Sequence, residues 1–109
     1  MLILSTKLKN AINAHAGEMD LTFTLKNISI NGSKRGCSGF IRNNANGSVM
    51  YVTTEAPCRC DLLYMYRYAS HEKDYTGYHN RWAKTLDELA SAICTCLHKT
   101  PQEQNERRI

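Results

Sequence analysis

Residues 19–32 read Met19-Asp20-Leu21-Thr22-Phe23-Thr24-Leu25-Lys26-Asn27-Ile28-Ser29-Ile30-Asn31-Gly32. Met19, Leu21, Phe23 and Leu25 alternate with Asp20, Thr22, Thr24 and Lys26. Successive strand side chains point to opposite faces, so this alternation predicts a half-buried β-strand. The apolar phase then moves by one residue to Ile28 and Ile30, which predicts a β-bulge or a bend at Lys26-Asn27. Asn31-Gly32 suits the two positive-φ positions of a tight hairpin.

Downstream, a second strand is predicted over about 35–42, carrying Cys37, Phe40 and Ile41 and made irregular by Gly36 and Gly39. Asn43-Asn44-Ala45-Asn46-Gly47 reads as a turn. A third strand follows at about 49–54 and is broken by Glu55-Ala56-Pro57. A fourth runs over about 60–68, with Leu62, Tyr64, Tyr66 and Tyr68 on one face and Leu63, Met65 and Arg67 on the other. Residues 70–84 read as a long polar, aromatic loop, and long loops in small domains often carry function.

Upstream, Leu4, Leu8, Ala11, Ile12 and His15 recur at helical spacing. They predict a helix over about 5–16, with Ser5 as its cap and Gly17 as its left-handed terminator. At the other end, Thr85-Leu86-Asp87-Glu88 is a capping box in which Thr85 and Glu88 satisfy each other's backbone amides. Leu86, Leu89, Ala90, Ile93 and Leu97 form the apolar stripe of a second helix, which Pro101 ends. The expected fold is α+β: a four-stranded antiparallel meander with an N-terminal and a C-terminal helix on one face, in the order α-β-β-β-β-α. The other sheet face is expected to be partly open. The domain is expected to span 1–101, with 102–109 as a polar tail.

The chain has 109 residues, enough for one domain with one modest core. Apolar residues make up 42% and charged residues 22%, which excludes wholesale disorder. Fourteen Lys and Arg against ten acids give a net charge of +4. This mild excess permits nucleic acid or an acidic protein partner and requires neither. The four-residue apolar start is too short for a signal peptide and no run suits a membrane span, so a cytoplasmic protein is expected. The five cysteines, an odd number, are then expected as reduced thiols.

Candidate binding residues concentrate in one window. Tyr64, Tyr66, Tyr68, Tyr75, Tyr78 and Trp82 lie within nineteen residues, together with Arg67, Arg81, His71 and His79. Tyr, Trp and Arg dominate binding hot spots because they bring large amphipathic area at low entropic cost. The strand stripe Tyr64-Tyr66-Tyr68 admits two readings. Facing outward, it is a platform for stacking bases or anchoring a protein; facing the helices, it is core with hydroxyls at the rim. In the loop, Tyr75, Tyr78, Arg81 and Trp82 are the expected anchors, with Arg67 and Tyr68 beside them.

The remaining chemistry is weak. A tetrahedral zinc site from Cys58, Cys60, Cys94 and His98 is geometrically conceivable, because Cys94 and His98 share a helix face. Its C-x-C spacing is poor for zinc, and buried cysteine acting as a small hydrophobe is commoner. Cys37, Cys58 or Cys60 could meet His71 or His79, but no local signature marks a nucleophile. Serine-hydrolase, phosphate-loop and dinucleotide patterns are absent, so neither an enzyme nor a cofactor is expected. The helix–strands–helix order superficially resembles the double-stranded RNA-binding domain. That family docks phosphate at the start of its last helix, where Asp87 and Glu88 would repel it here.

In size and layout the chain resembles small accessory proteins of phages and mobile elements, such as anti-CRISPR and other anti-defence inhibitors. That resemblance implies a compact α+β domain that acts by binding. The expected function is a non-enzymatic binding protein or inhibitor with a protein partner. A nucleic-acid-binding module and a homodimeric structural module are the alternatives.

Overall fold

A computed structural model describes residues 4–30, 33–54, 64–74 and 80–100. Among them the order is α1 (Leu4–Ala16), β1 (Leu21–Ile30), β2 (Ser33–Asn43), β3 (Ser48–Thr53), β4 (Tyr64–Ala69), β5 (Arg81–Ala83) and α2 (Leu86–Leu97). The strands form one antiparallel sheet in the order β1-β2-β3-β4-β5. The α+β meander with two helices stands, but the sheet has five strands rather than four. The added strand is only three residues long, too short for its alternation to register as a period. It exists because Tyr64↔Ala83, Met65↔Trp82 and Tyr66↔Arg81 pair across to β4.

Both helices cover one sheet face. Leu8, Ile12 and Ala16 of α1 and Leu89, Ala90, Ile93 and Leu97 of α2 enter one core with Cys37, Ile41, Met50, Val52, Tyr68 and Ala83. Tyr64 and Tyr66 pack against its rim half-buried. The tyrosine stripe therefore faces the helices. The helices also touch each other: the Cys94 thiol donates to the Ile12 carbonyl at 3.4 Å, and His15 Nε2 donates to Asp87 at 2.8 Å.

Local chemistry explains the element ends. Gly17 takes φ 62° and terminates α1, as the sequence predicts. Ser5 lies inside α1 rather than capping it, because the helix begins at Leu4. Thr85 caps α2 and accepts from the Glu88 amide at 3.1 Å. The return bond of the box goes one residue further: Glu88 Oε2 accepts from Lys84 N at 3.1 Å. The β1–β2 register runs unbroken to Ile28↔Gly36 and shifts between Ile28 and Ile30, later than the phase change at Lys26-Asn27 implies. Ile30 and Ser33 pair on either side of Asn31-Gly32.

Gly39 is required by close approach. It has φ 155°, and a Cβ there would overlap the Thr24 carbonyl oxygen and lie 2.8 Å from Leu25 Cα. Asn43 closes the opposite end of the core. Its Nδ2 donates to the Leu97 carbonyl at 3.0 Å, and its Oδ1 accepts from Ala45 N at 3.1 Å. Asn46 Nδ2 also donates to Leu97 O at 3.0 Å. The β2–β3 turn thus takes up a carbonyl at the C-terminal end of α2, where helix acceptors lack intrahelical partners. No helix among the described residues is long and apolar enough to cross a membrane.

Candidate binding edge

The second sheet face is less open than expected. Phe40, Val49 and Ala69 form a small buried cluster there with Tyr51 packed against it, and the Phe40 and Tyr51 rings lie 5.1 Å apart. Arg67 shares this face and is only 2% exposed. Its guanidinium sits 4.5 Å from the Tyr51 ring centroid. It donates to Tyr68 O at 3.2 Å and to Asp74 O at 2.6 Å, and it lies 3.8 Å from the Asp74 carboxylate. A buried cation is costly unless it is paired and hydrogen-bonded, and Arg67 is both.

These contacts root the segment that leaves β4. Asp74 Oδ2 accepts from Ser70 N at 2.9 Å and from Ser70 Oγ at 3.2 Å. Asp74 N donates to His71 O, and Lys73 N donates to His71 Nδ1. Glu72 reaches across to β2, where Arg42 donates to it at 2.7 Å. That bond holds the Glu72 carboxyl below its ordinary range despite partial burial. Residues 70–74 therefore form a closed turn fastened to two strands.

The expected anchors fall into three groups. Arg67 and Tyr68 are buried, Tyr68 at 5% exposure in the core beneath the helices. Neither offers surface to a partner in this conformation, because strand alternation turns one into each layer. Arg81 is exposed on β5, and Trp82 is half-buried there. Arg81 pairs with Tyr66, and its guanidinium lies 5.5 Å from the Tyr68 ring centroid. Trp82 pairs with Met65 on the opposite face. Tyr75 and Tyr78 lie outside the described residues.

The tyrosines here are structural phenols. Burial raises the Tyr66 hydroxyl, and Cys96 raises it further, while Arg81 opposes both. Burial and then Cys37 raise Tyr64. Burial pushes the Cys37 thiol up to about 11 and also raises Cys94. A raised thiol is the reverse of what nucleophilic cysteine chemistry uses. Among the described residues no group of three or more His, Cys, Asp or Glu could hold a metal. Cys58 and Cys60 of the conceivable zinc set lie outside the described residues. Of the other two, Cys94 is turned onto Ile12, and His98 is an exposed C-cap.

Sequence reasoning missed Glu72 and Asp74 as the groups that fasten the loop. The available signal was Arg67, a charge placed in phase with Met65 on an otherwise apolar strand. Compared with known proteins, the chain matches no family model, no curated protein and no solved structure.

Proposed function

We propose that this protein acts by binding another protein, and that its contact surface is the β5 edge together with the β4–β5 connection. Arg81 and Trp82 are the anchors that belong to the edge strand; Tyr75 and Tyr78 join them from the connection. The supporting observation is the rooting of that connection on the buried Arg67, with Asp74, Ser70 and Glu72 tied down around it. A loop held at its base loses less entropy when it binds, so more of its contact energy becomes affinity. An inhibitor that occludes a pocket with a few aromatic and arginine side chains fits this arrangement. A base-stacking role would need a surface other than the tyrosine stripe, which lies under the helices.

The test uses the immobilised protein as bait in extracts of its source cells, beside the variant Y75A/Y78A/R81A. The proposal expects a partner retained by the native protein and lost by the variant. Equal retention on both baits, or no retained partner, removes it.

A further inference from the structure

β1 is the far edge of the sheet, opposite β5. Its backbone polarity follows from one bond: Asn44 N donates to Asp20 O at 2.9 Å, which extends the pairing Leu21↔Asn43 by one residue. The N–H and C=O of a strand residue leave on the same side, and that side alternates along the strand. Asp20, Thr22, Thr24 and Lys26 therefore turn theirs to β2, and Leu21, Phe23 and Leu25 turn theirs outward. Among the described residues no backbone group outside β1 takes up those outward groups. Natural sheets seldom leave a long edge unmanaged, because it templates pairing with another chain.

The side chains along this edge form a chemical palindrome. Asp20-Leu21-Thr22-Phe23-Thr24-Leu25-Lys26 has Thr on both sides of Phe23, then Leu on both sides, then an acid at one end and a base at the other. Leu21, Phe23 and Leu25 are half-buried at the rim of the core, and Asp20, Thr22, Thr24 and Lys26 are exposed. A shallow groove of ≈ 200 Å³ runs beside Phe23 and Leu25, bounded by Ser5, Thr6 and Lys9 of α1.

We propose that β1 pairs antiparallel with β1 of a second copy of this chain, about a two-fold axis at Phe23. Phe23 then faces Phe23, and Leu21 faces Leu25 in both directions. The outward groups of these three residues meet their equivalents, giving about six backbone hydrogen bonds across the seam. Asp20 lies opposite Lys26 of the second copy, twice per dimer, and cross-strand opposite charges attract. An isologous contact must be complementary to itself, and the D-LTFTL-K order has that property. The axis stands perpendicular to the sheet, so both copies keep their helices on one side. Lys9 lies with its Nζ 5.5 Å from the Phe23 ring centroid, beside the axis. Lys9 is exposed, so its ammonium lies over the ring in contact with water, and solvent screening limits repulsion between the two lysines.

The result is one sheet of ten strands with a β5 edge at each end. Under the function proposed above, the dimer presents two partner-binding edges and gains from effective concentration. Self-association is measured without any partner, so the two readings succeed or fail separately.

Sedimentation velocity and equilibrium, run from about 1 µM to about 1 mM as micromolar-to-millimolar affinities require, tests the pairing. The expected result is a reversible dimer of 24.8 kDa, twice the 12.4 kDa chain. K26E and D20K each replace two attractive pairs with two repulsive ones and weaken the dimer about tenfold or more. The double variant D20K/K26E restores the attraction and returns the affinity to within about threefold of the native value. Asp20 and Lys26 are exposed, so folding is preserved, and circular dichroism checks it. A native protein that stays monomeric throughout, or a dimer indifferent to K26E and D20K, overturns the proposal. So does a double variant as weak as the singles.

Discussion

Replacing Arg67 with methionine keeps the side chain's apolar length and removes its charge. It deletes the donations to Asp74 O and Tyr68 O and the stacking on Tyr51. Breaking one side of a buried charged contact costs about 3–5 kcal/mol. The Asp74 carboxylate keeps its two bonds from Ser70, which places the expected loss near the lower end, about 3 kcal/mol. In a domain of this size each 1 kcal/mol moves the melting temperature by about 4–8 °C. The Arg67→Met melt should therefore fall by roughly 12 °C or more. Urea denaturation gives the free energy, and amide exchange reports Ser70, Lys73 and Asp74. Protection there should drop more than protection in α1, which packs on the other face of the sheet. A loss under about 1 kcal/mol with loop protection unchanged would refute the claim that Arg67 roots the connection.

Three further outcomes follow from the fold and its titrating groups. Gly39→Ala should destabilise by about 2 kcal/mol or more in chemical denaturation, because its Cβ overlaps backbone of β1 that cannot move aside; a change under about 0.5 kcal/mol contradicts that approach. Cys37, buried and with its thiol at about 11, should resist alkylation at pH 8 in the native protein and react promptly in denaturant, followed by mass spectrometry of the labelled peptide. Glu72 has its carboxyl lowered by Arg42, so its contribution is present above the unfolded carboxyl range and is lost as pH falls through the folded value. The pair is part-exposed, 41% and 33% at its two side chains. Glu72→Gln should therefore cost only about 0.5 kcal/mol at pH 7, and that cost should shrink as acid protonates Glu72; a cost that does not change with pH argues against the ion pair.

Much of the fold is legible because it is local. The alternation at Met19–Leu25, the capping box at Thr85 and the apolar stripes of both helices all act within a few residues. β5 is not legible, because Arg81-Trp82-Ala83 is too short to show a period and depends on β4 for its pairing. The role of Asn43 is hidden for a different reason: its bond to Leu97 joins residues 54 apart in sequence, and a turn signal says nothing about what the turn's side chains reach. The window of tyrosines does not reveal which sides of β4 and β5 are covered. Alternation puts Tyr68 and Arg67 on opposite faces, yet only the return of Glu72 and Asp74 onto the sheet shows that the Arg67 side is covered as well. Of the expected anchors, Arg81 and Trp82 lie on the edge strand β5, in a stretch that reads as loop from the sequence alone.

The most direct test is a calorimetric titration of the captured partner against the native protein and against Y75A/Y78A/R81A. Hot-spot side chains each contribute about 2 kcal/mol or more, so an affinity loss of at least about a hundredfold is expected, with the melting temperature preserved. An affinity within about threefold of native would contradict it.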